Sequence, residues 1–203
     1  MSRTTIANNA LRHIKNSHTL TNVDTDTSVQ AVTIQAVFDD AISEMAREYE
    51  WPPLKKIAAL ALVREGDGDD GDEFAYFYRW PADCEKARYI VDGNLQPSSL
   101  TPRIAFEVQV DGTGKLIATD EEDAYLCYTM EMDDITQMSA KWRRALEYKV
   151  ASLIAPTLCG GDPTGLGPKA QQNYMRAIDE AWTEYLNERQ RGTPPEAEMI
   201  EGR

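Results

Sequence analysis

The chain has 203 residues, 42% of them apolar and 27% charged, and its formal net charge is −13. That apolar fraction can build a core, so the composition excludes a largely disordered protein. No uninterrupted apolar run approaches the ~18 residues of a membrane-spanning helix, so we expect no membrane partner. The first residues lack the apolar core of a secretory signal, and the three cysteines are widely spaced. We therefore expect a protein with reduced thiols that stays where it is made.

Two helices are predicted at the start of the chain. The first covers residues 4–15, where Ile6, Ala10 and Ile14, or Ala7, Leu11 and Ile14, face inward. The second covers residues 28–50 and places one apolar face inward, formed by Ile34, Val37, Phe38, Ala41, Ile42, Met45 and Tyr49. Asp24 or Thr25 is expected to cap it, and Trp51-Pro52-Pro53 to end it.

Residues 54–131 are predicted to form antiparallel strands. Ile104, Phe106, Val108 and Val110 alternate along the chain, and Asp111-Gly112-Thr113-Gly114 then predicts a hairpin turn into residues 115–119. A further strand is predicted over 123–131. Residues 55–64 suit either a helix, because of their alanines, or a strand hairpin, because an acidic glycine loop follows. We favour the strand.

A second pair of helices is predicted over residues 134–158 and 168–190. Asp133 or Asp134 is expected to cap the first, whose apolar stripe is Met138, Trp142, Ala145, Leu146, Val150, Leu153, Ile154 and Leu158. Pro168 suits the first turn of the second, which carries Tyr174, Ile178, Ala181, Trp182 and Tyr185. The order of elements predicts an α+β fold in which helix pairs from both ends form a bundle around an inserted antiparallel sheet region. We expect residues 1–190 to form one domain and 191–203 an extended C-terminal segment.

The residues most often used in catalysis form no recognised arrangement. His13 and His18 are five residues apart, whereas two zinc ligands on one helical face need a spacing of four, so both are expected at the surface near a helix end. The segment 112–115 resembles a phosphate loop only in part, since Gln109 and Leu116 replace residues that the motif requires. We expect no catalytic residue, no metal and no cofactor.

Three charged segments have alternative interpretations. The acidic loop 67–73 lacks two ligands of a calcium loop, because residue 71 is Gly71 and residue 78 is Tyr78, so a solvated hairpin tip is favoured. The acidic turn 120–123 leaves open a small hydrolase that cleaves cell-wall polysaccharide with two carboxylates. The basic residues Lys141, Arg143, Arg144 and Lys149 either bind an acidic partner or form the solvated face of a helix, which we favour.

The negative charge argues against a protein that reads nucleic-acid sequence, because such proteins meet phosphates with cations. It is compatible with a tube that passes DNA without holding it, since like charges repel the backbone.

Several segments occur in a characteristic order: Asn9-Ala-Leu-Arg-His-Ile14, a long helix ending at Trp51, then Tyr78-Arg-Trp-Pro-Ala-Asp-Cys84 leading into Arg88-Tyr-Ile-Val91, and a closing helix pair. In this order, over about residues 5–188, the chain resembles the head-to-tail adaptors of tailed phages, the tail tubular protein A or tail accessory family of short-tailed phages. The acidic loop 67–73 is a departure from that family.

The resemblance implies a structural virion protein and not an enzyme. It implies a homo-oligomeric ring, twelvefold in such a family, that binds beneath the portal protein and presents a platform to the downstream tail nozzle protein. Double-stranded DNA would pass through the lumen during ejection without specific binding. The expected location is the virion tail below the portal, and the host cytoplasm during assembly.

The resemblance and the aromatic content together suggest where partners bind. Large aromatic side chains concentrate binding energy at interfaces, and a Pro-containing segment with few apolar groups folds only against a partner. We predict partner contacts at Trp182, Tyr185, Arg189, Arg191, Pro194 and Pro195. Trp142 is a further anchor candidate, although a core position is the favoured interpretation for it.

Overall fold

Four α-helices and seven β-strands make up the part of the chain that the structure, a computed structural model, describes: residues 2–66, 73–92, 103–112 and 114–188. In chain order they are α1 (Arg3–His13), α2 (Val29–Glu48), β1 (Lys55–Ala59), β2 (Leu62–Glu65), β3 (Tyr76–Arg79), β4 (Cys84–Asp92), β5 (Glu107–Asp111), β6 (Gly114–Thr119), β7 (Ala124–Met130), α3 (Ala140–Leu158) and α4 (Leu166–Glu188). The predicted α+β fold with an inserted antiparallel region is confirmed.

The helical bundle is held by the stripes that the spacing predicts. All five inward residues predicted for α1 are buried, because both proposed sets lie within one broad apolar face. The α2 and α4 stripes also pack into the bundle core, with Val37, Tyr49 and Trp182 partly buried at its edge. In α3 the prediction fails at Leu153, which is 38% exposed, while Ala151 and Ala155 are buried. Small alanines there let α3 approach its neighbours closely.

Serines, and not the predicted acidic residues, cap the long helices. The Ser28 hydroxyl accepts from the backbone N–H of Ala31 at the start of α2, and Ser139 does the same for Trp142 in α3, each at 3.3 Å. Asp26 instead accepts from the backbone N–H of Ser28 at 2.7 Å and shapes the turn before the cap. Asp24, Thr25 and Asp133 are therefore wrong as caps: a short side chain caps best where the backbone first turns helical.

The third predicted helix begins later than expected. Asp134 caps only a single 3₁₀ turn, Ile135–Gln137, by accepting from the backbone N–H of Thr136 at 2.8 Å. Met138 then takes an extended conformation before α3 starts at Ala140. Two capping residues therefore lie close together in this stretch. Asp134 caps the short 3₁₀ turn, and Ser139 caps α3.

Helix α4 begins two residues before Pro168, because a loop aspartate satisfies its first N–H groups. Asp162 accepts from the backbone N–H groups of Leu166 and Gly167 at 2.8 and 2.6 Å. Its own backbone is left-handed, with φ of 56°. Asn and Asp tolerate that region better than other residues except glycine.

Two antiparallel sheets form from residues 55–130. Their strand orders are β1-β7-β4 and β2-β3-β6-β5. Residues 55–64 form strands β1 and β2, so the favoured interpretation of this segment is confirmed. The hairpin at 111–114 and the strand over 123–131 are also confirmed, since Asp111 pairs with Gly114 and β7 covers Ala124–Met130.

The strand predicted over 103–110 is divided. Ile104 bridges to Ile90 of β4, in one sheet, whereas β5 begins only at Glu107 and pairs with β6 in the other. Val108 and Val110 are 42% and 74% exposed, because β5 is the outermost strand of its sheet. The alternation correctly predicts extended structure in this segment. It wrongly predicts one continuous strand, because the two parts pair with different sheets.

Strand β4 joins the sheet region to the bundle through Glu85, Lys86 and Arg88. Glu85 accepts from the Ser43 hydroxyl at 2.6 Å, and Lys86 donates to the carbonyl of Arg47 at 3.0 Å.

Arg88 of β4 reaches the end of α2, where Nη2 donates to the backbone carbonyls of Ala46, Arg47 and Tyr49 at 3.3, 3.1 and 2.5 Å. Its Nε donates to the Thr129 hydroxyl of β7 at 2.8 Å. The last carbonyls of a helix carry partial negative charge, so a guanidinium is a suitable partner for them.

Replacing this guanidinium should weaken the contact between the sheet region and the bundle and so lower the stability of the fold. We expect Arg88→Met to lower the free energy of unfolding by about 2–4 kcal/mol, because the carbonyls of α2 lose a charged donor while remaining half-buried. The matched control is Arg144→Met on exposed α3 surface, expected within about 0.5 kcal/mol of wild type. Urea unfolding followed by circular dichroism measures both. Equal stability of the two variants would show that Arg88 does not join the layers.

The cap of α4 is separately testable. Asp162→Ala should cost about 1–2 kcal/mol, because it removes the acceptor for two N–H groups and places alanine at a positive φ. Asp162→Asn keeps an oxygen and tolerates the backbone, so it should cost clearly less. Thermal unfolding of the three proteins gives the comparison, and equal losses for Ala and Asn would contradict a capping role.

Candidate partner-binding groove

Aromatic rings gather where α2 ends and α4 finishes. Trp51 is fully buried at the centre, with ring centroids of Tyr49, Trp182, Tyr185 and Trp142 at 5.4, 5.6, 5.5 and 6.5 Å. All four contacts are edge-to-face, the arrangement that ring quadrupoles favour. The Trp51 indole N–H also donates to the carbonyl of Met45 at 2.8 Å. The cluster therefore fixes the direction in which the chain leaves α2.

A groove of about 430 Å³ opens on the outer side of this cluster. Its floor and walls are mostly apolar and its rim is charged; the lining residues are Glu50, Pro52, Pro53, Lys55, Trp182, Tyr185, Leu186 and Glu188. Leu186 is 39% exposed there. An apolar surface with a charged rim suits a protein segment that buries one or two apolar side chains.

The predicted partner residues divide between groove and core. Trp182 is half-buried, stacks on Tyr49 with centroids 5.0 Å apart, and presents its remaining surface to the groove. Tyr185 is only 7% exposed, and its hydroxyl accepts from the backbone N–H of Ser139 at 2.8 Å, so it serves mainly as a core residue. Trp142 is fully buried, which agrees with its favoured interpretation.

The remaining predicted contacts, Arg189, Arg191, Pro194 and Pro195, lie outside the described residues, as does the C-terminal segment 191–203. The sequence nevertheless continues directly from Glu188, which lines the groove.

Sequence reasoning missed six of the eight described residues that line this groove, since only Trp182 and Tyr185 were predicted. Pro52, Pro53 and Leu186 line the groove. The proline pair predicts only a helix end, and Leu186, four residues after Trp182, continues the α4 stripe but is not among its predicted members. A proline pair following a tryptophan could have signalled a rigid apolar surface, because proline keeps its ring exposed without a backbone donor. The spacing of residues along the chain cannot predict that residues 52–53 and 186 lie side by side in the fold.

The two histidines differ in exposure. His18 is exposed as expected, whereas His13 is partly buried against the Tyr148 ring, with centroids 4.3 Å apart. Its Nε2 lies 3.5 Å from the carboxylate of Glu147, a buried residue that also accepts from the Asn9 side chain at 2.7 Å. His13 ends α1 as predicted, but its side chain is only 30% exposed because α3 packs across the end of α1.

Most of the basic cluster at α3 makes contacts within the chain. Lys149 lies 2.5 Å from Glu44 and Lys141 lies 3.9 Å from Glu184. Arg143 donates to carbonyls of the turn before α3, the shorter bond being 2.6 Å. These contacts argue against an anion site. The solvated-face interpretation holds for the exposed Lys141 and Arg144, whereas Arg143 is part-buried and the Lys149 side chain is only 14% exposed.

The acidic turn after β6 is shaped by backbone contacts. Asp120 accepts from the backbone N–H of Ala75 at 3.1 Å, and the Tyr78 hydroxyl donates to the carbonyl of Glu121 at 2.7 Å. Burial raises the pKa of the Glu121 carboxyl, and the carboxylate of Asp92 adds to that effect. The hydrolase alternative stays an untested prediction. Of the acidic loop 67–73, only Glu73 falls among the described residues.

Tyr49 offers a titration that reports on the aromatic cluster. Its hydroxyl donates to Asp179 of α4 at 2.8 Å, and this bond, then burial, then the charges of Asp179 and Glu48 raise the pKa of Tyr49 to about 12. Since an unperturbed tyrosine titrates near pH ~10, the raised pKa stabilises the fold fully below about pH 10, and this contribution is lost as the pH rises to about 12.

We therefore expect the difference in unfolding free energy between wild type and Tyr49→Phe to shrink above about pH 10. Chemical unfolding at several pH values measures it, and Tyr125→Phe, a change at an exposed residue of β7, is the control. A difference that stays constant through this range would contradict the Tyr49–Asp179 bond.

In the part of the chain that the structure describes, no helix is long and apolar enough to cross a membrane. Within the same residues, no group of three or more His, Cys, Asp and Glu side chains is placed to hold a metal ion. A scan of the chain against models of known protein families finds no match, and neither does a search of curated proteins.

Proposed function

We propose that this protein is a structural component of a tailed-phage virion, a head-to-tail adaptor that forms a ring beneath the portal. In that position it joins the capsid to the tail nozzle and surrounds the DNA during ejection. The proposal includes the self-association of the chain and its contact with the portal protein.

The observation that carries the proposal is the assembly of the helix pairs. Helices from the two ends of the sequence pack into one bundle, and the sheet region stands between them in the chain. This is the arrangement that the ordered sequence resemblance implies for an adaptor subunit. It supports a body made by the bundle, with the inserted sheets available for contacts between components.

The groove supports a portal contact at the C-terminal end of the bundle. It is apolar between Pro52 and Leu186 and it lies where α4 passes into the C-terminal segment. That segment is the part of the chain for which the resemblance suggests a portal contact, so a portal surface reached by it would also cover the groove. Burying Trp182 and Leu186 there would contribute in the way that apolar anchors do at protein interfaces.

The charge of the chain is compatible with the same role. A formal net charge of −13 repels a DNA backbone, which lowers the affinity of any channel wall for the passing duplex.

The decisive experiment mixes the full chain with purified portal rings of the same virus. Negative-stain electron microscopy and sedimentation velocity are expected to show a second ring stacked on the portal. If the chain leaves the portal unchanged at every concentration and ionic strength, the adaptor proposal is wrong.

Two matched variants of α4 test the groove. Leu186→Glu places a carboxylate among apolar lining residues and should weaken portal binding by about tenfold or more, because a charge loses its hydration on burial. Met175→Glu alters another exposed apolar residue of the same helix, away from the groove, and should bind as wild type does. Equal binding by both variants would remove the groove from the interface without removing the adaptor.

A further inference from the structure

Strands β2 and β5 are the two outer strands of the four-stranded sheet. Among the described residues, no strand pairs with the outer edge of either. Both carry exposed apolar side chains: Leu62 on β2 is 50% exposed, and Val108 and Val110 on β5 are 42% and 74% exposed. An outer strand with unpaired backbone groups and apolar side chains is a template for another strand.

The register of the sheet makes these two edges complementary. Leu62 lies opposite Tyr78, Tyr78 opposite Ile117, and Ile117 opposite Val108. One row of side chains therefore crosses the sheet and ends in an apolar residue on each side. Residues in one row project from the same face, so Leu62 and Val108 share a face.

The adjacent row ends in opposite charges. A register shift in β2 leaves Val63 as an extra residue, so that Arg64 lies opposite Phe77. Phe77 lies opposite Ala118, and Ala118 opposite Glu107. The Arg64 guanidinium lies over the Phe77 ring at 3.6 Å, which orients it on that face of the sheet. One edge thus presents leucine and arginine where the other presents valine and glutamate.

Strand direction permits the two edges to join. Each neighbouring pair in the order β2-β3-β6-β5 is antiparallel. With four strands, β2 and β5 run in opposite directions. If a second copy is placed beside the first in the same orientation, its β2 therefore meets β5 in antiparallel pairing.

We infer that β5 of one copy pairs with β2 of the next, so that the sheet continues from subunit to subunit. Leu62 of each copy then lies beside Val108 of its neighbour. With Val63 again the extra residue, as in the pairing of β2 with β3, Arg64 lies beside Glu107. The inference rests on the proposed function, for which it supplies the contact between ring subunits. A contact between unlike edges is heterologous, and such contacts close into rings when the rotation between copies permits.

Charge disfavours one symmetric alternative, the pairing of two β5 strands. Two β5 strands paired antiparallel around Gln109 would place Glu107 of each beside Asp111 of the other. Like charges directly opposite destabilise a strand pair. The unlike pairing of β5 with β2 replaces that repulsion by attraction between Glu107 and Arg64.

Disulfide cross-linking tests directly whether β2 of one copy lies beside β5 of another. In Leu62→Cys/Val108→Cys, the two new thiols of one copy are three strand spacings apart, about 14 Å, too far for a bond within the chain. Between copies they would be adjacent. Mild oxidation of the full chain, alone and on portal rings, should give a ladder of covalent oligomers on non-reducing gels.

Two controls identify the source of the ladder. The wild type carries Cys84, Cys127 and Cys159 and is expected to remain monomeric on the gel. Leu62→Cys/Val32→Cys pairs the same β2 position with an exposed residue of α2, 53% exposed, and should give no ladder beyond dimers.

Charge reversal gives an independent readout. Glu107→Arg alone and Arg64→Glu alone should each weaken self-association by about fivefold per contact, and the double variant should restore it, because the pair is re-formed with exchanged signs. Sedimentation velocity measures the association. Failure of the double variant to recover would contradict the pairing of these two residues.

The outcomes separate this inference from the function on which it rests. Rings on the portal without a ladder overturn the edge pairing and leave the adaptor proposal standing. A ladder without portal binding supports the pairing and overturns the adaptor. A chain that neither associates nor binds the portal overturns both.

Discussion

The arrangement of sheet region and bundle depends on the contacts of β4 with the end of α2, made by Glu85, Lys86 and, through several carbonyls at once, Arg88. A helix end exposes carbonyls that the helix itself cannot satisfy, and a sheet edge near it would bury them without partners. Arg88 satisfies the end of α2 from β4 and is itself held by Thr129 of β7. Burial lowers the pKa of Arg88, yet the group stays charged. Its charge and fixed planar fork let one side chain serve a helix and two strands together, which a lysine could not do.

The sequence predicts the fold best where one periodicity continues for several turns. The α2 and α4 stripes are confirmed because each buries one face against the same core. Prediction fails where two local signals compete, as at Asp134 and Ser139, since the choice of cap depends on where the chain must turn to meet the sheet. It also fails at Leu153, because small alanines beside it take the buried position. Those outcomes are decided by tertiary packing, which no short window of sequence contains.

The candidate groove shows the same division. The contact of Trp182 with a partner stays a prediction; the structure shows that its side chain is half-buried and lines the groove. Tyr185 has the same residue class and spacing, yet its hydroxyl serves the start of α3. The proline pair at 52–53 contributes a rigid wall only because the ring of Trp51 is held by four neighbours. The sequence shows which residue types are available for such a groove, whereas the packing of the aromatic cluster determines the shape of the groove.

The contact between Trp51 and Trp142 has a consequence for how this architecture can vary. The chain leaves the bundle beside one of these rings and returns beside the other, and their centroids are 6.5 Å apart. A segment whose two ends meet can gain or lose residues while its anchor points stay in place, and doubling the length of such a loop costs only about 0.6 kcal/mol of closure entropy. The bundle therefore depends little on the length of the chain between the two tryptophans, and that region is where we expect this chain to tolerate insertions.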